Sequence, residues 1–201
     1  MKTKFLTIVA TVILAVVSTT ATSFASEKNN DKEVSTVLTN VSHINKIEVR
    51  GNVELYVSDG TADQVKVYNK YYAESALVQG QNGVLRIASY KAEKLVVWVT
   101  AADLREINAY DDVEVKSFGS LSKIDFDVNL HNNATAALNL DAYRTSLTVN
   151  DNAKVTLTGS VNEYNVSYSE SAKIVNDNFI SVNETKTQIP SRSAKRELAV
   201  L

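Results

Sequence analysis

Three carboxylates, Asp111, Asp151 and Glu170, recur at similar intervals in the second half of the chain, with Asn132 at the equivalent place between the first two. Stacked one above the next, they would line an acidic edge. Calcium takes about six to eight oxygen ligands from carboxylates and carbonyls, so this edge is the candidate metal site. It is the chemistry a calcium-dependent polysaccharide-binding or polysaccharide-active protein would need. Against it, the dense alternation of acids in a dedicated calcium loop is missing. Carboxylates interleaved with amides are also what a soluble stack of turns presents. The chain contains no cysteine, which rules out thiolate metal sites and a disulfide framework.

Aromatic rings offer a second chemistry. Tyr71, Tyr72, Tyr90 and Trp98 fall in the first half of the chain, and exposed rings stack on sugars. Trp98 stands between Val97 and Val99, so on a strand it points away from their face. Catalysis has little to work with. The two histidines, His43 and His131, are far apart, and His131 occupies a turn position shared with Tyr110 and Asn150. No nucleophile elbow, phosphate loop, dinucleotide fingerprint or zinc-protease helix motif occurs. The sequence therefore implies no catalytic residue, no enzyme and no cofactor.

The elements that must position these groups are strands. Val, Ile, Thr and Tyr are frequent, Asn, Asp and Ser punctuate them, and proline occurs once, at Pro190. Four corner triplets stand out: Tyr110-Asp111-Asp112, His131-Asn132-Asn133, Asn150-Asp151-Asn152 and Ser169-Glu170-Ser171. Each is followed by a small apolar residue, Val113, Ala134, Ala153 or Ala172, at steps of 21, 19 and 19 residues. Apolar and polar residues then alternate, the mark of a strand with one buried face. Asp112, Asn133, Asn152 and Ser171, with the four small residues, form the expected structural ladder, in which Asn133 would stack on Asn152 and share amide hydrogen bonds. Units of this size cannot bury their apolar side alone and must stack. The expectation is an all-β, single-domain, right-handed parallel β-solenoid with about 20 residues per coil.

Lys2 and Lys4, the apolar run Phe5–Val17 and the small residues of Ser23-Phe24-Ala25 read as a secretory signal peptide over residues 1–25. A linker over 26–39, a solenoid domain over 40–182 and a flexible tail over 183–201 complete the expected organisation. Without Lys2 and Lys4 the formal charge moves from −2 to −4, which offers no general affinity for nucleic acid. The product is expected to be exported to the periplasm, the cell surface or the medium, and not to remain an integral membrane protein. Its expected partner is an envelope or extracellular protein or glycan.

Two segments, "IEVRGNVELYVSDGTADQVKV" and "LVVWVTAADLREINAYDDVEV", resemble the head GIN domain family, whose members carry an autotransporter-adhesin label and are common in Bacteroidetes. The resemblance covers roughly residues 40–180 and departs from the family at the corners, where acidic and amide residues replace Gly-Ser pairs. It implies an exported, adhesin-like β-solenoid that binds rather than catalyses.

Overall fold

The computed structural model describes residues 35–38, 41, 43–68 and 76–190. The chain divides into a unit over Met1–Lys32, outside the described residues, and a unit from Glu33 onward. The second unit is built from strands: β1 (Ser35–Leu38), β2 (Lys46–Gly51), β3 (Val53–Asp59), β4 (Gln64–Tyr68), β5 (Ala76–Gln81), β6 (Val84–Ser89), β7 (Leu95–Ala101), β8 (Glu106–Ala109), β9 (Glu114–Ser117), β10 (Leu121–Leu130), β11 (Thr135–Val149), β12 (Lys154–Tyr168) and β13 (Lys173–Gln188).

All thirteen strands belong to one sheet. The long strand β11 organises it. Thr135–Ala137 of β11 pair with β9, whereas Leu140–Val149 pair with β10. From this branch one arm runs β9, β3, β7, β4, β1 and the other runs β10, β8, β2, β6, β5. The strands β12 and then β13 add along the far side of β11. The whole curls into a half-barrel whose inner face is the core.

Local sequence explains the burial. In β3 and β7 alternate residues are fully buried, as the period-two pattern requires. Register then lines the buried positions up across strands. Leu85, Ile47, Ile107, Val128, Leu147 and Val166 are successive partners and all lie in the core. Each such aliphatic side chain contributes about 1.5–3 kcal/mol on burial. On β13 the row gives way to Glu184 and Lys186, opposite Tyr164 and Val166 and paired with each other at 2.9 Å. Charged residues there close the core against solvent, the role of a terminal cap.

The expected right-handed parallel β-solenoid is not the fold. The sheet is mixed: β1 pairs with β4, β4 with β7 and β5 with β6, all antiparallel. The repeated 20-residue coil also fails in the first half, where Lys46 of β2 pairs with Val84 on one side and Glu106 on the other. Parallel pairing at a step of nineteen residues is confined to the later strands, as in Leu121 with Leu140 and Arg144 with Glu163. The physical reason is that alternation dictates which side chains are buried and leaves strand direction open. A two-residue turn at Asn82-Gly83, both at positive φ (51° and 80°), reverses the chain between β5 and β6. Asn-Gly is a strong hairpin signal because both residues tolerate that backbone. A second reversal follows Asp59-Gly60, where the Asp63 carboxylate accepts the Ile44 N–H at 2.7 Å and the Ala102 N–H at 2.8 Å. At the other end β13 runs through Asn183 to Gln188, past the tail boundary expected after Val182.

Candidate binding site at the corner of the sheet

At the corner triplets the chain turns from β8 to β9, β10 to β11, β11 to β12 and β12 to β13. Asp111, Asn132 and Asp151 hold positive φ there (64°, 60° and 56°), a backbone that Asn and Asp adopt more readily than other side-chain-bearing residues. Glu170, at the fourth corner, is not among the positive-φ residues. The corners are tied to one another. Asn132 N–H donates to Asp151 Oδ2 at 2.9 Å, Asp111 N–H to Asn132 Oδ1 at 3.2 Å, and Gly51 N–H to Asp111 Oδ2 at 3.2 Å. The first residues of the triplets stack as well. Arg50 lies over the Tyr110 ring at 3.8 Å, Tyr110 stacks on His131 at 4.7 Å, and His131 Nδ1 is 3.2 Å from Asn150 Nδ2. Burial, with Arg50 adding to it, holds His131 below the usual imidazole pKa, against an opposing pull from Asp151.

The expected ladder is in place for its small residues. Val113, Ala134 and Ala153 are fully buried, and Ala172 is half-buried against the core. Its polar members are exposed, and their bonding differs from the expectation. Asn133 Nδ2 donates to Asp112 Oδ1 at 3.1 Å, and Asn152 donates its backbone N–H to Asn132 O at 3.0 Å. Asn133 and Asn152 share no amide bond among the described residues. Ser171 is exposed beyond them.

The acidic edge is a set of turn-formers. Asp111 and Asp151 spend a carboxylate oxygen on backbone N–H groups of the preceding corner, and Glu170 is exposed at the end of the row. Among the described residues no three His, Asp or Glu side chains converge in a way that would hold a metal ion.

At the first corners lies an open depression of about 740 Å³, lined by Gly51, Asn52, Tyr90, Lys91, Ala92, Asp111 and Asp112. Gly51 makes it possible. Its φ is +83°, and a Cβ there would stand 2.1 Å from Ser89 O and 3.1 Å from Tyr90 Cδ1. Because Gly51 has no side chain, Tyr90 seats its ring against that backbone while remaining 72% exposed. Its hydroxyl reaches toward Asp111 Oδ2 at 3.4 Å. Asn52 fixes the adjoining loop by donating from Nδ2 to Lys91 O (3.2 Å) and Ala92 O (3.0 Å).

Trp98 is in a different setting. It faces away from Val97 and Val99, as alternation requires, but its neighbours cover it. Tyr56, its register partner, stacks on it at 4.6 Å and 19°, Phe118 packs at 5.2 Å, and Tyr68 meets it edge-on at 6.4 Å. The far side of Tyr56 carries the Lys116 ammonium, 5.6 Å from the ring centre. Lys116 pairs with Glu54 and Glu114, and Glu114 pairs with Lys94. The Glu54 carboxylate, and then Glu114, raises the Lys116 ammonium well above its usual pKa. Trp98 thus braces a half-buried ladder and does not offer a free ring face. Tyr71 and Tyr72 lie outside the described residues.

Sequence reasoning named Tyr90 and Asp111 but missed Gly51, Asn52, Lys91 and the contribution of Asp112. Gly51-Asn52, inside an otherwise alternating run, was the available signal, since an isolated glycine in a strand marks a close backbone approach.

Residues 43–196 match the family model described as "Putative auto-transporter adhesin, head GIN domain". No curated protein matches the sequence. Among solved structures, a "putative adhesin" of Parabacteroides distasonis superposes with a TM-score of 0.56 at 17% identity, covering 77% of each chain. One of Parabacteroides merdae gives 0.56 at 15%, covering 79% of this chain and 78% of that one. A "putative lipid binding protein" of P. distasonis gives 0.56 at 11%, covering 79% of each. At these identities the likeness is one of fold. The family match, spanning most of the chain and the whole sheet from β2 to β13, is of another order: the protein belongs to the head GIN domain family.

Proposed function

We propose that the protein is an exported, non-enzymatic binding module of adhesin type, which holds an envelope or extracellular partner at the corner depression around Tyr90. The observation that carries this reading is the exposed Tyr90 ring, seated on Gly51 and flanked by Asp111, Asp112, Asn52 and Lys91. Concave sites with an apolar surface and a few placed polar groups are where ligands bind. Export is supported by the charged and apolar pattern of residues 1–25. No helix among the described residues is long and apolar enough to cross a membrane. The adhesin and lipid-binding names of the structural neighbours are consistent with a protein that recognises rather than transforms.

The test has two parts. Mass spectrometry of the product secreted by expressing cells should find an N-terminus after Ala25. Purified, labelled protein should be retained on envelopes isolated from the producing organism, and Tyr90→Ala should reduce that retention. Equal retention of both proteins would refute the assignment of the site.

A further inference from the structure

We infer that the corner depression binds a saccharide, as a run of neutral pyranose units lying across the Tyr90 ring. The inference deepens the reading above and rests on it. A pyranose presents axial C–H groups on one face and hydroxyls around its rim. It therefore needs a flat apolar surface flanked by hydrogen-bond acceptors and donors. Tyr90 provides the surface: its ring stands beside the Gly51 backbone and is 72% exposed. A tyrosine ring supplies contact area at little conformational cost, because only two torsions need fixing.

The rim is equally specific. Asp111 uses Oδ2 for Gly51 N–H and the Tyr90 hydroxyl, and Asp112 uses Oδ1 for Asn133. Among the described residues, Asp111 Oδ1 and Asp112 Oδ2 have no such bond, so each can accept from a ligand hydroxyl. Charge-assisted bonds of this kind are the stronger ones. Lys91, also among the lining residues, adds a donor. Two carboxylates against one ammonium make the mouth acidic, which disfavours phosphates, uronates and anionic lipid head groups. Hydroxyls satisfy the carboxylates without bringing a charge. The depression is open and not enclosed, so an internal unit of a longer chain can lie in it as well as an end. The other aromatic group, around Trp98, lacks these features because its rings cover one another.

The experiment uses the full chain on an array of neutral oligosaccharides built from glucose, mannose, xylose and N-acetylglucosamine, with oligogalacturonate as the charged comparison. Isothermal titration follows on any member that binds. We expect a neutral member to bind, oligogalacturonate to bind more weakly, and Tyr90→Ala to weaken the neutral ligand about tenfold. Tyr90→Phe should retain most of the affinity, and Asp112→Asn should lose part of it. Tyr90→Phe also guards against misfolding, since it keeps the ring. If no neutral oligosaccharide binds while envelope retention still depends on Tyr90, the ligand is of another class and the saccharide inference falls alone. If retention ignores Tyr90, the inference falls together with the site. Preferential binding of oligogalacturonate would also overturn it.

Discussion

The rings of Tyr110 and His131 lie nearly parallel, 10° apart with centroids at 4.7 Å, on successive corners of the sheet. The contact covers an imidazole that burial already holds below its ordinary pKa. Arg50, over the far face of Tyr110, works in the same direction, and Asp151 works against it.

Stability should therefore fall in mild acid. His131 is more basic in the unfolded chain than in the fold, so the unfolded state takes up the proton first. Its contribution is complete above the ordinary imidazole value of about 6.5 and is lost as pH falls from there through the lower folded value. Thermal unfolding between about pH 8 and pH 5 should show a drop that His131→Asn removes. Asparagine is the residue the next corner carries in that position, Asn150. A slope unchanged in His131→Asn would assign the drop to other groups.

Two glycines separate backbone strain from steric conflict. Gly119 and Gly159 both hold positive φ, +83° and +97°. A Cβ at Gly119 would meet nothing within 4 Å, whereas at Gly159 it would stand 2.0 Å from Leu140 O, where β12 passes β11. Gly119→Ala should cost about 1 kcal/mol from the backbone alone. Gly159→Ala should cost several times as much in urea unfolding. Equal losses would mean that the strands separate freely at that point.

Ala153 is fully buried between corners, in line with Ala134. Ala153→Arg places an unpaired charge in the stacked core and should destabilise by about 3 kcal/mol or more. An unchanged melting temperature would remove Ala153 from the core.

Tyr164 supplies the opposite case. Its side chain is 1% exposed, and its hydroxyl has no hydrogen-bond partner among the described residues. Burial pushes its pKa well up, with a further push from Glu184. A buried, unpaired hydroxyl costs free energy, so Tyr164→Phe should be neutral or stabilising by about 1 kcal/mol. The ring contact with Phe179 at 5.1 Å survives the change. A clear fall in melting temperature would show that the hydroxyl has a partner in solution.

Calcium and chelator should leave thermal unfolding unchanged. A metal bound only by the folded state raises stability by about 2.7 kcal/mol at a hundredfold excess over its dissociation constant. Asp111 and Asp151 are engaged by backbone N–H groups, and Glu170 stands apart at the end of the row. A calcium-dependent rise lost in Asp151→Ala would restore the acidic edge as a metal site.

Much of this protein follows from local sequence. The alternating run from Ile47 to Val57 implies one buried face, and Ile47, Val49, Val53, Leu55 and Val57 are all buried. The triplets at Tyr110, His131, Asn150 and Ser169 mark turns between strands, and small apolar residues follow them into the core or against it. These features are legible because they depend on one residue's own properties: whether it prefers water, and whether it tolerates positive φ.

Strand direction and neighbour choice were decided elsewhere. Period-two alternation suits parallel and antiparallel pairing equally, so it leaves open the direction of the strand that carries Val65 and Val67. In the fold they lie on β4, antiparallel to β7. The site shows the same division. Tyr90 was recognisable as an aromatic residue fit for stacking, but Asn52 and Asp111 come from distant parts of the chain. Only the pairing of β2 with β6 and β8 sets Gly51 and Ser89 beside each other and brings Asp111 within reach. Sequence determined the strands, the turns and the buried face through local chemistry. Tertiary structure decided the curl of the sheet and the place where a ring, an amide and two carboxylates meet, because those contacts join residues that no local preference couples.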